Sequence, residues 1–126
     1  MKIKQTHNTP YIFLDKQNCQ LILKGKSYPE NAGTFYNHIN KEIIKHSEYM
    51  KNSIITVEFF IEILNSTSST CIYRIFKELH NLYKKTIINW YCEKDDEDMI
   101  EQASVFQSSF SKIEFNIITV EDIRKL

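Results

Sequence analysis

Glycine and proline are nearly missing from this chain, with two of each in 126 residues. Two glycines cannot build a Gly-rich phosphate cradle, and so few turn formers argue against long loops. An excess of either charge is missing too. Sixteen Lys plus Arg balance sixteen Asp plus Glu, so no net field draws in nucleic acid or an anionic membrane. No apolar run approaches the length of a membrane span, and Met1-Lys2-Ile3-Lys4-Gln5-Thr6-His7 lacks the apolar core of a signal peptide. Cysteine is sparse and odd in number. Cys19, Cys71 and Cys92 each sit inside an apolar pattern, which marks reduced core thiols rather than a disulfide or zinc framework. No Walker pattern, G-x-S-x-G elbow or EF-hand spacing is present, and His7, His38, His46 and His80 lack metal-motif spacing. These absences point to a single cytoplasmic domain over residues 1–126, without cofactor or metal, with residues 1–8 as a loose arm.

What the chain does have is periodicity. Ile55, Val57, Phe59, Ile61 and Ile63 alternate with Thr56, Glu58, Phe60, Glu62 and Leu64, the period of two that marks a half-buried strand. Ile72, Ile75, Phe76, Leu79, Leu82 and Tyr83 then recur at helical spacing, with Arg74, Lys77, Glu78 and Asn81 between them. Asn65-Ser66-Thr67-Ser68-Ser69-Thr70 joins the two as a hydroxyl-rich turn. Such side chains cap helices, because their oxygens accept bonds from the first free backbone N–H groups. A strand end opening onto a helix start also sets accessible hydroxyls beside the positive end of the helix dipole. A working site is expected there.

Upstream, Tyr11 to Leu14 form a short apolar run, Asp15-Lys16-Gln17-Asn18 a turn, and Cys19, Leu21 and Leu23 a second alternating run. Together they predict a hairpin. Gly25 to Asn31 leads into a helix with Pro29 near its first position, carrying Phe35, Tyr36, Ile39, Ile43 and His46 on one face. Thr86 to Cys92 predicts a strand with Ile88, Trp90 and Cys92 on one side. The acidic Glu93 to Asp98 suits the start of a third helix, with Met99, Ala103, Phe106 and Phe110 inward. Ile113, Phe115 and Ile117 predict a last strand, and Val120 to Leu126 a short helix or tail. The order ββαβαβαβ implies right-handed crossovers and mostly parallel neighbours after the hairpin. Each strand has one clean apolar face and one mixed face, unlike strands buried on both sides. The predicted class is α/β (α+β): two layers, a mixed four- to five-stranded sheet, and helices on one face. Its open face would show Ile22, Thr56, Glu58, Phe60, Tyr91 and Ile118.

Three stretches together resemble one family. Gly25-Lys26-Ser27-Tyr28-Pro29-Glu30-Asn31-Ala32, followed by Phe35-Tyr36, is similar to the G-x-SYPEN-A motif that opens the first helix in the SiaC family. Thr9-Pro10 stands where that family has Thr-Pro, and Leu64-Asn65-Ser66-Thr67-Ser68 resembles its LNTSS segment. Trp90-Tyr91 with Asp96-Glu97-Asp98-Met99 and Glu101 is similar to its W-x-Y and DEDM-x-E pattern. The resemblance implies a STAS-like bacterial phosphoprotein of biofilm and cyclic di-GMP signalling, similar in logic to anti-anti-sigma factors. A serine/threonine kinase of the anti-sigma type phosphorylates such proteins, a PP2C-like phosphatase reverses this, and the unmodified form binds an output protein such as a diguanylate cyclase. The family's phosphoacceptor is the threonine of NTSS. An ungapped match from the central strand puts Ser66 there, and a one-residue insertion puts Thr67 there. Tyr28, Pro29, Glu30, Asn31, Asn65, Ser68 and Ser69 are the candidate partner contacts.

Plainer readings stand beside these. The hydroxyls from Ser66 to Thr70 serve as a cap and local turn, and Tyr28 to Asn31 shape a helix entry. The acidic run 93–101 is a solvated helix start, or alternatively Asp95, Asp96, Asp98 and Glu101 form the site of a small metal-assisted hydrolase. A third alternative is a structural subunit that pairs through the open sheet face around Phe60. The leading expectation is a protein that is not an enzyme.

Overall fold

The computed structural model describes all residues, 1–126. Its opening hairpin is fixed by Asp15. That carboxylate accepts the backbone N–H of Gln17 at 3.1 Å, the backbone N–H of Asn18 at 3.2 Å and the Asn18 side-chain amide at 2.8 Å. Cys19 then closes the turn at φ 50°, a left-handed conformation uncommon outside glycine. The strands so joined are β2 (Tyr11–Asp15) and β3 (Gln20–Ser27). From β3 the chain crosses through α1 (Ala32–Met50) to β4 (Ile54–Leu64), through α2 (Ser66–Leu82) to β5 (Lys85–Glu93), and through α3 (Glu97–Ser109) to β6 (Glu114–Val120). A 3-10 turn at Ile123–Lys125 ends it.

Each crossover returns to the neighbouring strand, so spatial order follows chain order, with β3 to β6 mutually parallel. Crossovers of one hand put all three helices on the same face. Burial agrees. Ile55, Val57, Phe59 and Ile61 are wholly buried under the helices, while Thr56, Glu58, Phe60 and Glu62 between them are only half-buried. Trp90 occupies the centre, its ring 4.2 Å from Phe59 and 4.9 Å from Phe106, a geometry in which aromatic pairs add to simple area burial. On the open face Phe60 stacks on Tyr91 at 4.4 Å. Asn89 donates to Glu58 at 3.1 Å and Asn116 to Asn89 at 2.9 Å, a polar ladder across three strands.

The predicted two-layer mixed architecture is therefore present, with four differences. The sheet has six strands rather than four or five, because Lys2–Ile3, read as part of an arm, pair antiparallel with Ile12–Phe13 as an edge strand, β1. The alternation in β4 breaks near its end. Gly25 pairs with Ile61 but Lys26 pairs with Ile63, leaving Glu62 as the extra residue of a bulge. Gly25 takes φ 119° there, a value that suits glycine. A one-residue slip exchanges the faces, so Ile63 is 46% exposed and Leu64 turns toward the core. Third, the hydroxyl run is no turn. Helix α2 already begins at Ser66. Likewise α1 starts at Ala32, so Pro29 precedes the helix rather than opening it.

Candidate functional site

Because β3 and β4 are parallel neighbours, α1 and α2 start side by side at one edge of the sheet. Both starts are capped by asparagine. Asn31 accepts the N–H of Thr34 at 3.2 Å, and Asn65 accepts the N–H of Ser68 at 2.8 Å. Each thereby satisfies one of the backbone donors that a helix start leaves free.

Ser27, the last residue of β3, ties the two starts together. Its carbonyl accepts the backbone N–H of Asn65 at 3.1 Å. Its hydroxyl donates to Ser68 Oγ at 2.8 Å. Its oxygen lies 2.6 Å from the Tyr36 hydroxyl, and since the serine proton is already committed, Tyr36 is the donor. Burial pushes the Tyr36 phenol well above its ordinary range, against the pull of Ser27, so it keeps its proton. Ser27 and Ser68 are completely buried. The relay Tyr36–Ser27–Ser68 thus joins α1, β3 and α2 where water cannot substitute. Sequence reasoning missed Ser27 and Tyr36 as a linked pair. The signal was present: period two sets Ser27 on the inner face with Leu21 and Leu23.

The five hydroxyls of the run divide sharply. Ser68 is buried in the relay, so it is not a surface contact residue. Ser69 Oγ accepts from the Gln102 amide of α3 at 2.7 Å. Thr70 Oγ1 donates to the Ser66 carbonyl at 3.2 Å. Ser66 and Thr67 are exposed, and their side-chain oxygens make no hydrogen bond. Both open into a cleft of about 330 Å³ between α1 and α2, lined also by Gly33, Thr70, Cys71 and Arg74.

The other predicted contact residues lie on the same edge. Tyr28 and Glu30 are exposed on the β3–α1 connection, Pro29 is half-buried, and Asn31 and Asn65 are occupied as caps. The backbone N–H of Tyr28 donates to the Asn8 carbonyl at 2.9 Å, which anchors the N-terminal loop to this connection.

The acidic run behaves as a helix start. Asp96 caps α3 by accepting the N–H of Met99 at 3.1 Å, and Glu97 and Asp98 occupy the first turn, where the helix dipole favours negative charge. Asp95, Asp98 and Glu101 are exposed. No three His, Cys, Asp or Glu side chains converge as a metal-ligand set. The three cysteines are free and buried. No helix is long and apolar enough to cross a membrane.

Comparison with known proteins places this geometry in context. A family model described as SiaC family regulatory phosphoprotein matches residues 3–120. Apo-SiaC from Pseudomonas aeruginosa has a similar structure, with TM-score 0.75 at 21% identity over 94% of this chain and 96% of that one. A further structure of SiaC from the same organism gives TM-score 0.78 at 19% identity, covering 97% and 98% of the two chains. A chain in the crystal structure of diguanylate cyclase SiaD in complex with its activator SiaC, also from Pseudomonas aeruginosa, gives 0.77 at 21% identity over 97% and 99%. No curated protein matches the sequence. At such identities the structural likeness speaks for the fold, whereas the family match rests on the sequence and spans nearly all of it. The chain belongs to the SiaC family of regulatory phosphoproteins.

Proposed function

We propose that this protein is a non-enzymatic, cytoplasmic component of a partner-switching system. A serine/threonine kinase of the anti-sigma type transfers a phosphoryl group from a nucleoside triphosphate to the hydroxyl of Ser66 or Thr67, releasing the diphosphate and a proton. A PP2C-like phosphatase hydrolyses the ester. The unmodified form binds an output protein such as a diguanylate cyclase. The observation that carries this reading is the division of the hydroxyls: only Ser66 and Thr67 in the run are both exposed and free of hydrogen bonds. The similar fold of a chain in the complex of SiaD with its activator SiaC supports the kind of output partner. Tyr28, Pro29, Glu30, Asn31, Asn65 and Ser69 frame the proposed docking edge.

The energetics favour a switch in binding over a switch in folding. A phosphate brings about −1.5 to −2 charges at neutral pH. Against a partner surface shaped for a neutral hydroxyl, the added dianion costs on the order of several kcal/mol in desolvation and repulsion, and about 1.4 kcal/mol is a tenfold change in affinity. The test is intact-mass and fragment analysis of the protein purified from its own cells. Phosphate on Ser66 or Thr67, absent when both are replaced by alanine, is the expected result. Phosphate that persists in the double variant, or none under any growth condition, overturns the assignment.

A further inference from the structure

Arg74 lies on α2 seven residues after Thr67 and eight after Ser66, with Thr70 between. Seven residues are about two helical turns, roughly 10.5 Å along the axis on one stripe, and long helical side chains lean back toward the N-terminus. The arginine accordingly lines the same cleft as Thr67, Ser66 and Gly33, and it is the only charged residue in that lining. It has no carboxylate partner: the ion pairs of the chain are Lys85–Glu114, Lys94–Glu121 and Arg124–Asp122. Its charge already acts on the cleft wall. Burial pushes the Cys71 thiol up, and Arg74 pulls it back down. Arg74 also lines the adjoining groove between α2 and α3, about 490 Å³ in volume, beside Ser69, Tyr73, Lys77 and Phe106.

We propose that Arg74 is the residue that holds the phosphate once it is placed on the hydroxyl run, directly when it is on Thr67 and across the mouth of the cleft when it is on Ser66. This deepens the function proposed above and rests on it. The guanidinium offers a planar fork of donors suited to two phosphate oxygens, and no carboxylate competes for it. Holding the phosphate draws Arg74 away from the α2–α3 groove. One modification then changes the charge of two adjoining surfaces.

Phosphothreonine incorporated at position 67 through an expanded genetic code tests this without any kinase. The second ionisation of the phosphate, near pH 6 for a free ester, is followed by the 31P chemical shift. A neighbouring cation favours the dianion, so the apparent pKa is expected to be at least about half a unit lower than in the Arg74→Gln variant, with Arg74→Lys between the two. The comparison cancels the contribution of the helix start, which is common to all three proteins. Identical titrations with and without Arg74 overturn the proposal. That failure is separable from failure of the switch itself, which is read from phosphate occupancy in cells and not from the titration.

Discussion

Ser27 and Ser68 are 41 residues apart in sequence and 2.8 Å apart in space. One ends β3 within the SYPEN-like motif, and the other sits in the first turn of α2 within the hydroxyl run. Two motifs that resemble separate signatures in the sequence are one hydrogen-bonded unit in the fold. The unit fixes how far α2 rises above the sheet edge, and therefore where Ser66 and Thr67 stand.

Removing its central member should be costly. Ser27→Ala strips Ser68 of its donor and Tyr36 of its acceptor inside a buried site. A buried polar group left unpaired costs about 1–3 kcal/mol, so urea unfolding should show a loss of that size with an unchanged slope. Ser68→Ala added to Ser27→Ala should cost less than the sum of the two single losses, because one orphaned group has gone. Strict additivity would falsify the coupling.

The cap is a second and independent support. Asn65→Ala removes the acceptor for the Ser68 N–H and should lower stability by about 0.5–2 kcal/mol. Asn65→Asp keeps the acceptor and adds a charge the helix start welcomes, so it should hold stability near that of the parent. Equal thermal midpoints for the alanine and aspartate variants would show that the side chain is not acting as a cap.

The two layers and most of the inward residues were legible because alternation and helical spacing report which side of an element is buried. Ile55, Val57, Phe59 and Ile61 obey that rule. Ile63 does not, since the pattern continues past a bulge whose only sequence marker is Gly25 on a different strand. Lys2–Ile3 escaped notice because two residues carry no period. At the site, the hydroxyls were visible as a cluster and the family resemblance singled out Ser66 and Thr67, but which of the five are exposed was not legible. Serine at position 66 and serine at position 68 are identical letters, and only the fold decides that one faces solvent and the other faces Ser27. Arg74 read as an exposed helical residue. Its spacing from Thr67 on α2 is legible, but the cleft the two residues share is completed by Gly33 of α1, and local spacing does not report that approach.

At the other end of the sheet, His46 couples stability to pH. The Tyr83 hydroxyl, kept protonated by burial, lies 2.6 Å from His46 Nδ1. Burial lowers the pKa of His46 from its ordinary 6.5, with the Lys16 carbonyl pulling the other way and the Lys16 charge adding to the fall. A histidine whose folded pKa is depressed binds its proton more readily when unfolded. Its contribution is intact above about pH 6.5 and is lost as pH falls through the folded value. The carboxylates with lowered pKa, Asp15, Glu114 and Asp122, start from 3.8 or 4.5 and act lower down. Between about pH 6.5 and 4.5, then, the decline in urea midpoint should belong largely to His46 and should flatten in His46→Gln. A decline of the same slope in that variant would assign it elsewhere.

Phosphorylation at the start of α2 should leave the fold standing. Ser66 and Thr67 occupy the first turn of the helix, where the partial positive charge of unpaired N–H groups stabilises an exposed anion by roughly 0.3–1 kcal/mol. For a chain of this length about 1 kcal/mol corresponds to a rise in Tm of roughly 2–6 °C. The phosphorylated protein should therefore melt at the same temperature as the unmodified one or slightly above it, with an unchanged far-ultraviolet circular dichroism spectrum. Had the hydroxyls stood at the end of a helix, the sign would reverse and modification would loosen the domain. A fall in Tm of several degrees on phosphorylation would mean that the switch works by opening α2. An unchanged or raised Tm together with weakened binding of the output partner locates the switch on the surface, in the charge that Ser66 or Thr67 presents to whatever docks there.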